Sequence, residues 1–178
     1  GRGSGSLGGV SIEGDFRTWA ATAMVRLRRT AYLLCGDWHQ ADDLVQETLI
    51  RVYASWSRVR DPAARDAYAT TTLVNRFRTS LHRGVRRELA RAPEDLPDVA
   101  GPSPLEPPDG RLLEALAGLG SSQREIVVLR YWEDYSVAET ARILGISTGT
   151  VTSQSSRALA TLRHVLAAPS LETSGDLS

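Results

Sequence analysis

Lysine is absent from this chain, so all 21 fixed positive charges are arginine. The planar guanidinium suits bidentate phosphate contact, and a GC-rich coding sequence gives the same bias with no function attached. Cysteine occurs once, at Cys35, which excludes an internal disulfide. The three histidines, His39, His82 and His164, are scattered. The nearest metal-like pair, Cys35 and His39, flanks a helix-breaking Gly36-Asp37, and two ligands do not make a zinc site. No apolar run approaches the roughly 18 residues of a membrane span. Residues 1–10 lack the basic and apolar segments of a secretory signal and read as a tag or flexible arm. A Gly-rich phosphate loop, a nucleophile elbow, an HExxH and a Cys-x-x-Cys are all missing. The expectation is a cytoplasmic protein that is not an enzyme and needs no metal or cofactor.

What is present is ordinary globular composition: 178 residues, 42% hydrophobic and 24% charged. The net charge of zero is a cancellation between segments. Arg76, Arg78, Arg83, Arg86, Arg87 and Arg91 are opposed over that stretch by Glu88 alone, whereas Glu94, Asp95, Asp98, Glu106 and Asp109 follow with no basic residue among them. One segment can grip a polyanion, and the next repels or mimics one. Six of the eight prolines fall between Pro93 and Pro108. That acidic, Pro-rich stretch, residues 91–110, reads as a linker. It separates an N-terminal block of about 80 residues from a C-terminal block of about 60, each near the lower size of an independent domain. The units are then 11–90 and 111–168, with a short polar tail over 169–178.

Both blocks read as helical, because apolar residues recur at spacings of three and four and alternating β-branched runs are missing. The predicted fold is all-α, two small helical domains. A first helix over 12–34 buries Phe16, Trp19, Ala20, Ala23, Leu27, Ala31 and Leu34. A second over 39–56 turns Leu44, Leu49, Val52, Tyr53 and Trp56 inward and carries Asp42, Asp43, Gln46 and Glu47 on its exposed face. That face reads as solvated or partner-binding, in preference to an acid/base cluster. Pro62 opens a third helix through about residue 87, apolar first and basic at its end.

After the linker, 111–119 and 121–132 read as helices, the second with Ser121 or Ser122 as N-cap. Ser136 caps a helix over 137–144, Gly145 ends it, and Ser147 caps a longer helix over 148–166. Two helices joined by Gly-Ile-Ser form helix-turn-helix grammar. With Val151 inward, Ala158 and Leu162 share its face, Ser153, Ser156 and Arg157 turn outward, and Thr152 lies on the flank. Small polar residues with an arginine suit the major groove, where Arg157 can take guanine O6 and N7.

These motifs resemble the extracytoplasmic-function (group 4) sigma factors, in particular the actinobacterial sigma-E-like subfamily. Ala41-Asp42-Asp43-Leu44-Val45-Gln46-Glu47-Thr48-Leu49 is similar to region 2.2. There the resemblance implies docking of Asp42, Asp43, Leu44, Gln46 and Glu47 on the β′ clamp helices of core RNA polymerase. Leu73-Val74-Asn75-Arg76 resembles the end of the promoter-melting segment. The resemblance implies that Asn75 contacts a flipped −10 base, that Arg76 and Arg78 hold phosphate, and that the loop with Arg60 and Asp61 cradles the base. Arg124-Glu125-Ile126-Val127-Val128-Leu129-Arg130-Tyr131, then Ser136-Val137-Ala138-Glu139-Thr140-Ala141 and Gly149-Thr150-Val151, are similar to region 4. That implies a −35 surface of Arg130, Thr148, Thr152, Ser153, Gln154, Ser156 and Arg157, together with binding to the β-flap. Thr152 stands where the family usually has Lys or Arg.

The resemblance spans about residues 12–168. It implies an alternative sigma factor with core polymerase and promoter DNA as partners, an anti-sigma factor as a further one, and no membrane. A freestanding helix-turn-helix regulator would need a sensing or dimerising N-terminal domain, and the region 2.2-like surface has no purpose there. A protein-only adaptor leaves the arginine run unexplained.

Overall fold

The computed structural model describes residues 12–90 and 110–168, with side chains placed except over 84–90. The proline-rich segment, the terminal arm and the tail lie outside the described residues, as does the arginine run beyond Arg83 as far as its side chains are concerned. Among the described residues all regular structure is helical.

α1 (Ile12–Cys35) and α2 (Trp38–Ala54) form an antiparallel hairpin. Gly36 makes the corner at φ +73, a left-handed conformation that glycine adopts without Cβ strain. Its N–H bonds the Tyr32 carbonyl at 2.7 Å, and Asp37 then caps α2 by accepting from the His39 N–H at 2.8 Å. α3 (Pro62–Ala90) packs across both helices. Asp61 accepts from the Ala63 N–H at 3.1 Å, and Pro62 fills the first turn, where its missing donor costs nothing.

Of the expected α1 stripe, Ala20, Ala23, Leu27, Ala31 and Leu34 are buried, while Phe16 and Trp19 are half-buried against the core. Leu44, Val52, Leu73, Val74 and Phe77 close the core from α2 and α3. Each such side chain contributes about 1.5–3 kcal/mol by leaving water. Tyr53, expected inward, is exposed and meets Phe16 in a T-shaped ring pair (5.0 Å between centroids). Trp56, also expected inward, is buried 5.4 Å from Phe16 and 5.5 Å from Trp19.

The C-terminal unit comprises α4 (Gly110–Ala117), α5 (Ser121–Val127), a π-helical turn (Val128–Trp132), α6 (Val137–Leu144) and α7 (Thr148–Ala167). The single helix expected over 121–132 therefore splits, since beyond Val127 the bonding widens to i→i−5, as in Glu133 N–H to Val128 carbonyl at 3.0 Å. Gly120, and neither serine, occupies the N-cap of α5, without a side-chain bond. Arg124 satisfies the end of α4 instead, donating to the Leu116, Ala117 and Leu119 carbonyls. At α6 the expected grammar holds. Ser136 and Glu139 form a reciprocal capping box worth about 1 kcal/mol, and Gly145 ends the helix at φ +67. Ser147 caps α7 through the Thr150 N–H.

The two units are not held apart. One buried apolar cluster runs from α1–α3 into α4–α7, and α1 packs on α4, α5 and the π turn while α3 packs on α6.

Candidate functional site

Three surfaces carry the residues singled out by sequence. On α2, Asp43, Gln46 and Glu47 are exposed, and Asp42 is half-exposed. Asp42 is also structurally engaged, since its carboxylate accepts from Arg28 Nε at 2.6 Å and Nη2 at 3.4 Å. Arg28 lies 4.4 Å over the Trp38 ring, which stacks on Tyr32 at 3.8 Å. Glu47 faces Arg76 of α3 at 3.9 Å. Among the described residues Asp43 has no ion-pair partner. Leu44 departs from its assigned place, because at 3% exposure it is core and cannot meet a partner surface. Sequence reading missed Ile50, which is 69% exposed one turn beyond Glu47. An aliphatic residue in register with an acidic face is the available pointer. Acids around an exposed aliphatic suit a basic helix that also offers apolar contact.

The second surface is the α3 entrance. Arg60, Asp61 and Asn75 are exposed. The loop before α3 is held by Arg65, whose Nε donates to the Val59 carbonyl at 2.6 Å while its guanidinium lies 3.7 Å over Trp56. Asn75 leaves its side-chain amide without a partner among the described residues, while its backbone carbonyl accepts from the Thr79 hydroxyl at 2.9 Å. Arg76 and Arg78 are partly buried and already paired, Arg76 with Glu47 and Arg78 with Glu125. The structure thus separates Asn75, open to solvent, from two arginines whose charge is satisfied within the protein.

The third surface is α7. Val151, Ser155, Ala158 and Leu162 turn inward, while Thr148, Thr152, Ser153, Ser156 and Arg157 are exposed, as the 100° periodicity requires. Thr152 and Ser153 bond back to the Thr148 and Thr150 carbonyls at 3.0 and 3.3 Å, leaving their hydroxyl oxygens as acceptors on the open face. Gln154 does not share that face, as it accepts from Gln123 Nε2 at 3.0 Å across to α5. Arg130 is likewise turned into the protein, where Nη1 bonds the Tyr135 carbonyl and fixes the turn into α6.

No cluster of three or more metal-ligating side chains exists among the described residues. Cys35 sits at the end of α1, where burial pushes its thiol up to about 12.

Residues 24–87 match the profile of Sigma-70 region 2, and residues 109–162 match that of Sigma-70, region 4. The RNA polymerase sigma-E factor of Streptomyces avermitilis is 38% identical over 161 residues, 89% of this chain and 88% of that protein. The chain belongs to the extracytoplasmic-function sigma factors. A second member, the ECF RNA polymerase sigma factor EcfG of Rhodopseudomonas palustris, is 33% identical over 147 residues, 81% of each chain. Among solved structures, the sigma factor RpoE in complex with the anti-sigma factor NepR from Bartonella quintana superposes with a TM-score of 0.74 at 28% identity, covering 86% of this sigma factor and 98% of that chain. The two profiles coincide with the two helical units, so α2 and α3 belong to region 2 and α6 and α7 to region 4.

Proposed function

We infer that this sigma factor directs core RNA polymerase to promoters by dividing the work among the three surfaces. The observation that carries the reading is α7, whose open face offers hydroxyls and Arg157 while its other face is closed by Val151, Ala158 and Leu162. A helix so anchored can enter a major groove without unfolding anything behind it. Region 4, over 111–168, takes the −35 element through Thr148, Thr152, Ser153, Ser156 and Arg157, with Arg130 and Gln154 supporting the helix from behind. Region 2, over 11–90, docks on the β′ clamp helices through Asp43, Gln46, Glu47 and Ile50, with Asp42 shared between docking and its bond to Arg28.

Asn75 reads an extruded −10 base, because an amide can donate and accept on a Watson–Crick edge once the base leaves the stack. The Arg60–Asp61 loop, braced by Arg65, forms the wall of that site. Bond making belongs to the polymerase; this chain supplies recognition and melting, is not itself an enzyme, and works in the cytoplasm. No described helix is long and apolar enough to cross a membrane. An anti-sigma factor is a further partner, as for the RpoE relative solved with NepR.

The test is co-purification with bacterial core RNA polymerase followed by transcription from promoter templates. Retention on core and template-specific initiation are expected. Tight duplex binding without core, and no retention on it, would identify a freestanding helix-turn-helix regulator instead.

A further inference from the structure

The loop between α2 and α3 is held by one side chain. Ser57, Arg58, Arg60 and Asp61 are exposed, and Val59 is half-buried. The loop makes a turn of its own, with the Arg58 N–H on the Ser55 carbonyl at 3.0 Å. From the first turn of α3, the Arg65 N–H donates to the Asp61 carbonyl at 2.9 Å, and Arg65 Nε donates to the Val59 carbonyl at 2.6 Å. Among the described residues no other side chain bonds the backbone of residues 57–61.

The guanidinium of Arg65 rests on packed core. It lies 3.7 Å over the ring of Trp56, which is 3% exposed and fixed by Phe16 at 5.4 Å and Trp19 at 5.5 Å between centroids. Trp19 is held in turn from α3, its Nε1 donating to Asp66 at 2.9 Å. Arg65 thus spans from a buried aromatic cluster to an exposed loop carbonyl. It sets the position of Val59 against the core, and with it the positions of Arg60 and Asp61 on either side.

No carboxylate pairs with Arg65 among the described residues, so the ring face and the carbonyl are what its charge meets. Both contacts use the planar guanidinium: its flat face covers the indole, and Nε–H donates in the plane. A lysine ammonium carries the charge without that shape. The requirement on such a clamp is strict, because a recognition site works when its groups stay within about 0.5 Å of their productive positions. A loop that must be ordered at the moment of binding loses affinity and selectivity to that ordering.

We propose that Arg65 is a positioning residue for promoter selection, clamping the loop to Trp56 in the geometry that discriminates the −10 base while touching neither that base nor the strand. The clamp rests on the contacts of Arg65 alone; its bearing on the −10 element rests on the assignment of Arg60 and Asp61 to that element.

The test uses holoenzyme, core polymerase with the full chain, initiating on templates that differ at single −10 bases. Arg65→Ala, with circular dichroism and thermal melts as folding checks, should lower the preference for the best −10 base by about fivefold, the lower end of what one good base contact discriminates. Affinity for core polymerase, read by competition, should not change. Arg65→Lys should lose preference as Arg65→Ala does. N-ethylguanidinium added to the Ala variant should restore preference, and ethylammonium should not. On a promoter with a premelted −10 bubble, the slope of log affinity against log salt should stay at the wild-type value in Arg65→Ala. Preference retained in folded Arg65→Ala or in Arg65→Lys overturns the clamp. So does a slope lowered by about 0.7, which would make Arg65 a phosphate contact on the single strand. Arg60→Ala and Asp61→Ala separate the two levels. If they shift −10 preference and Arg65→Ala does not, the positioning role falls and the −10 loop stands; if none of the three shifts it, the −10 assignment of the loop falls as well.

Discussion

Asp42 and Asp43 are neighbours on α2 with the same chemistry, and the structure gives them opposite fates on mutation. Asp42 holds Arg28 through two bonds, and Arg28 covers the Trp38–Tyr32 stack. Replacing Asp42 by Ala removes a two-pronged but half-exposed ion pair, which is worth about 1 kcal/mol. In a chain of this size that lowers the melting temperature by about 2–4 °C. Asp43 is exposed with no ion-pair partner among the described residues, so Asp43→Arg changes folding stability by no more than about 0.5 kcal/mol. Against a basic coiled coil, however, the reversed charge sets like against like, at a cost of about 3 kcal/mol. That is about 100-fold in Kd. Competition for core polymerase, read by fluorescence anisotropy and paired with thermal melts, separates the two effects. A folded Asp43→Arg protein that competes as well as the wild type refutes the docking face. An Asp42→Ala protein with its melting temperature unmoved would refute the structural role of the Arg28–Asp42 pair.

Asn75→Ala should relax preference at one −10 position by about 1–3 kcal/mol, measured by transcription from a set of single-base −10 variants; equal loss on every variant would remove its reading role. Thr152→Arg should steepen the slope of log affinity against log salt for −35 duplex by about one unit, and an unchanged slope would mean that position 152 points away from phosphate. Stability should decline as pH rises from about 9 toward 12, because burial raises the Cys35 thiol to about 12 and also raises the Tyr135 hydroxyl, so the unfolded chain releases these protons first. Cys35→Ala should flatten that alkaline decline in urea titrations, and an unaltered decline would assign it elsewhere.

The elements that sequence reading recovered are those set by local rules. Gly36 and Gly145 end their helices in left-handed positions, Ser136 and Ser147 make their cap bonds, and the aliphatic parts of the α1 and α7 stripes fall on the buried faces. The Gly-Ile-Ser corner was legible because a short helix, a glycine and a serine cap leave the chain few alternatives.

What stayed hidden depends on distant partners. Glu125 and Glu133 look like surface charges, since nothing near them in sequence reveals Arg78, 47 positions away, or Arg26, 107 positions away. The π turn was invisible because one widened turn barely alters the apolar spacing from Val127 to Leu129. At Leu44 the helical periodicity, which turns it inward, holds over the docking role that the motif implies. Gln154 joins the −35 surface through its place in the reading helix and Arg130 through the region 4 resemblance, and only the Gln123 and Tyr135 contacts show them turned inward.

This sigma factor makes core polymerase select promoters. Sequencing the 5′ ends of transcripts made on genomic DNA by core enzyme, with and without the protein, tests it most directly. A discrete set of start sites should appear only with the protein, share a sequence pattern at −10 and −35, and be lost with Asp43→Arg. Start sites identical with and without the protein would contradict it.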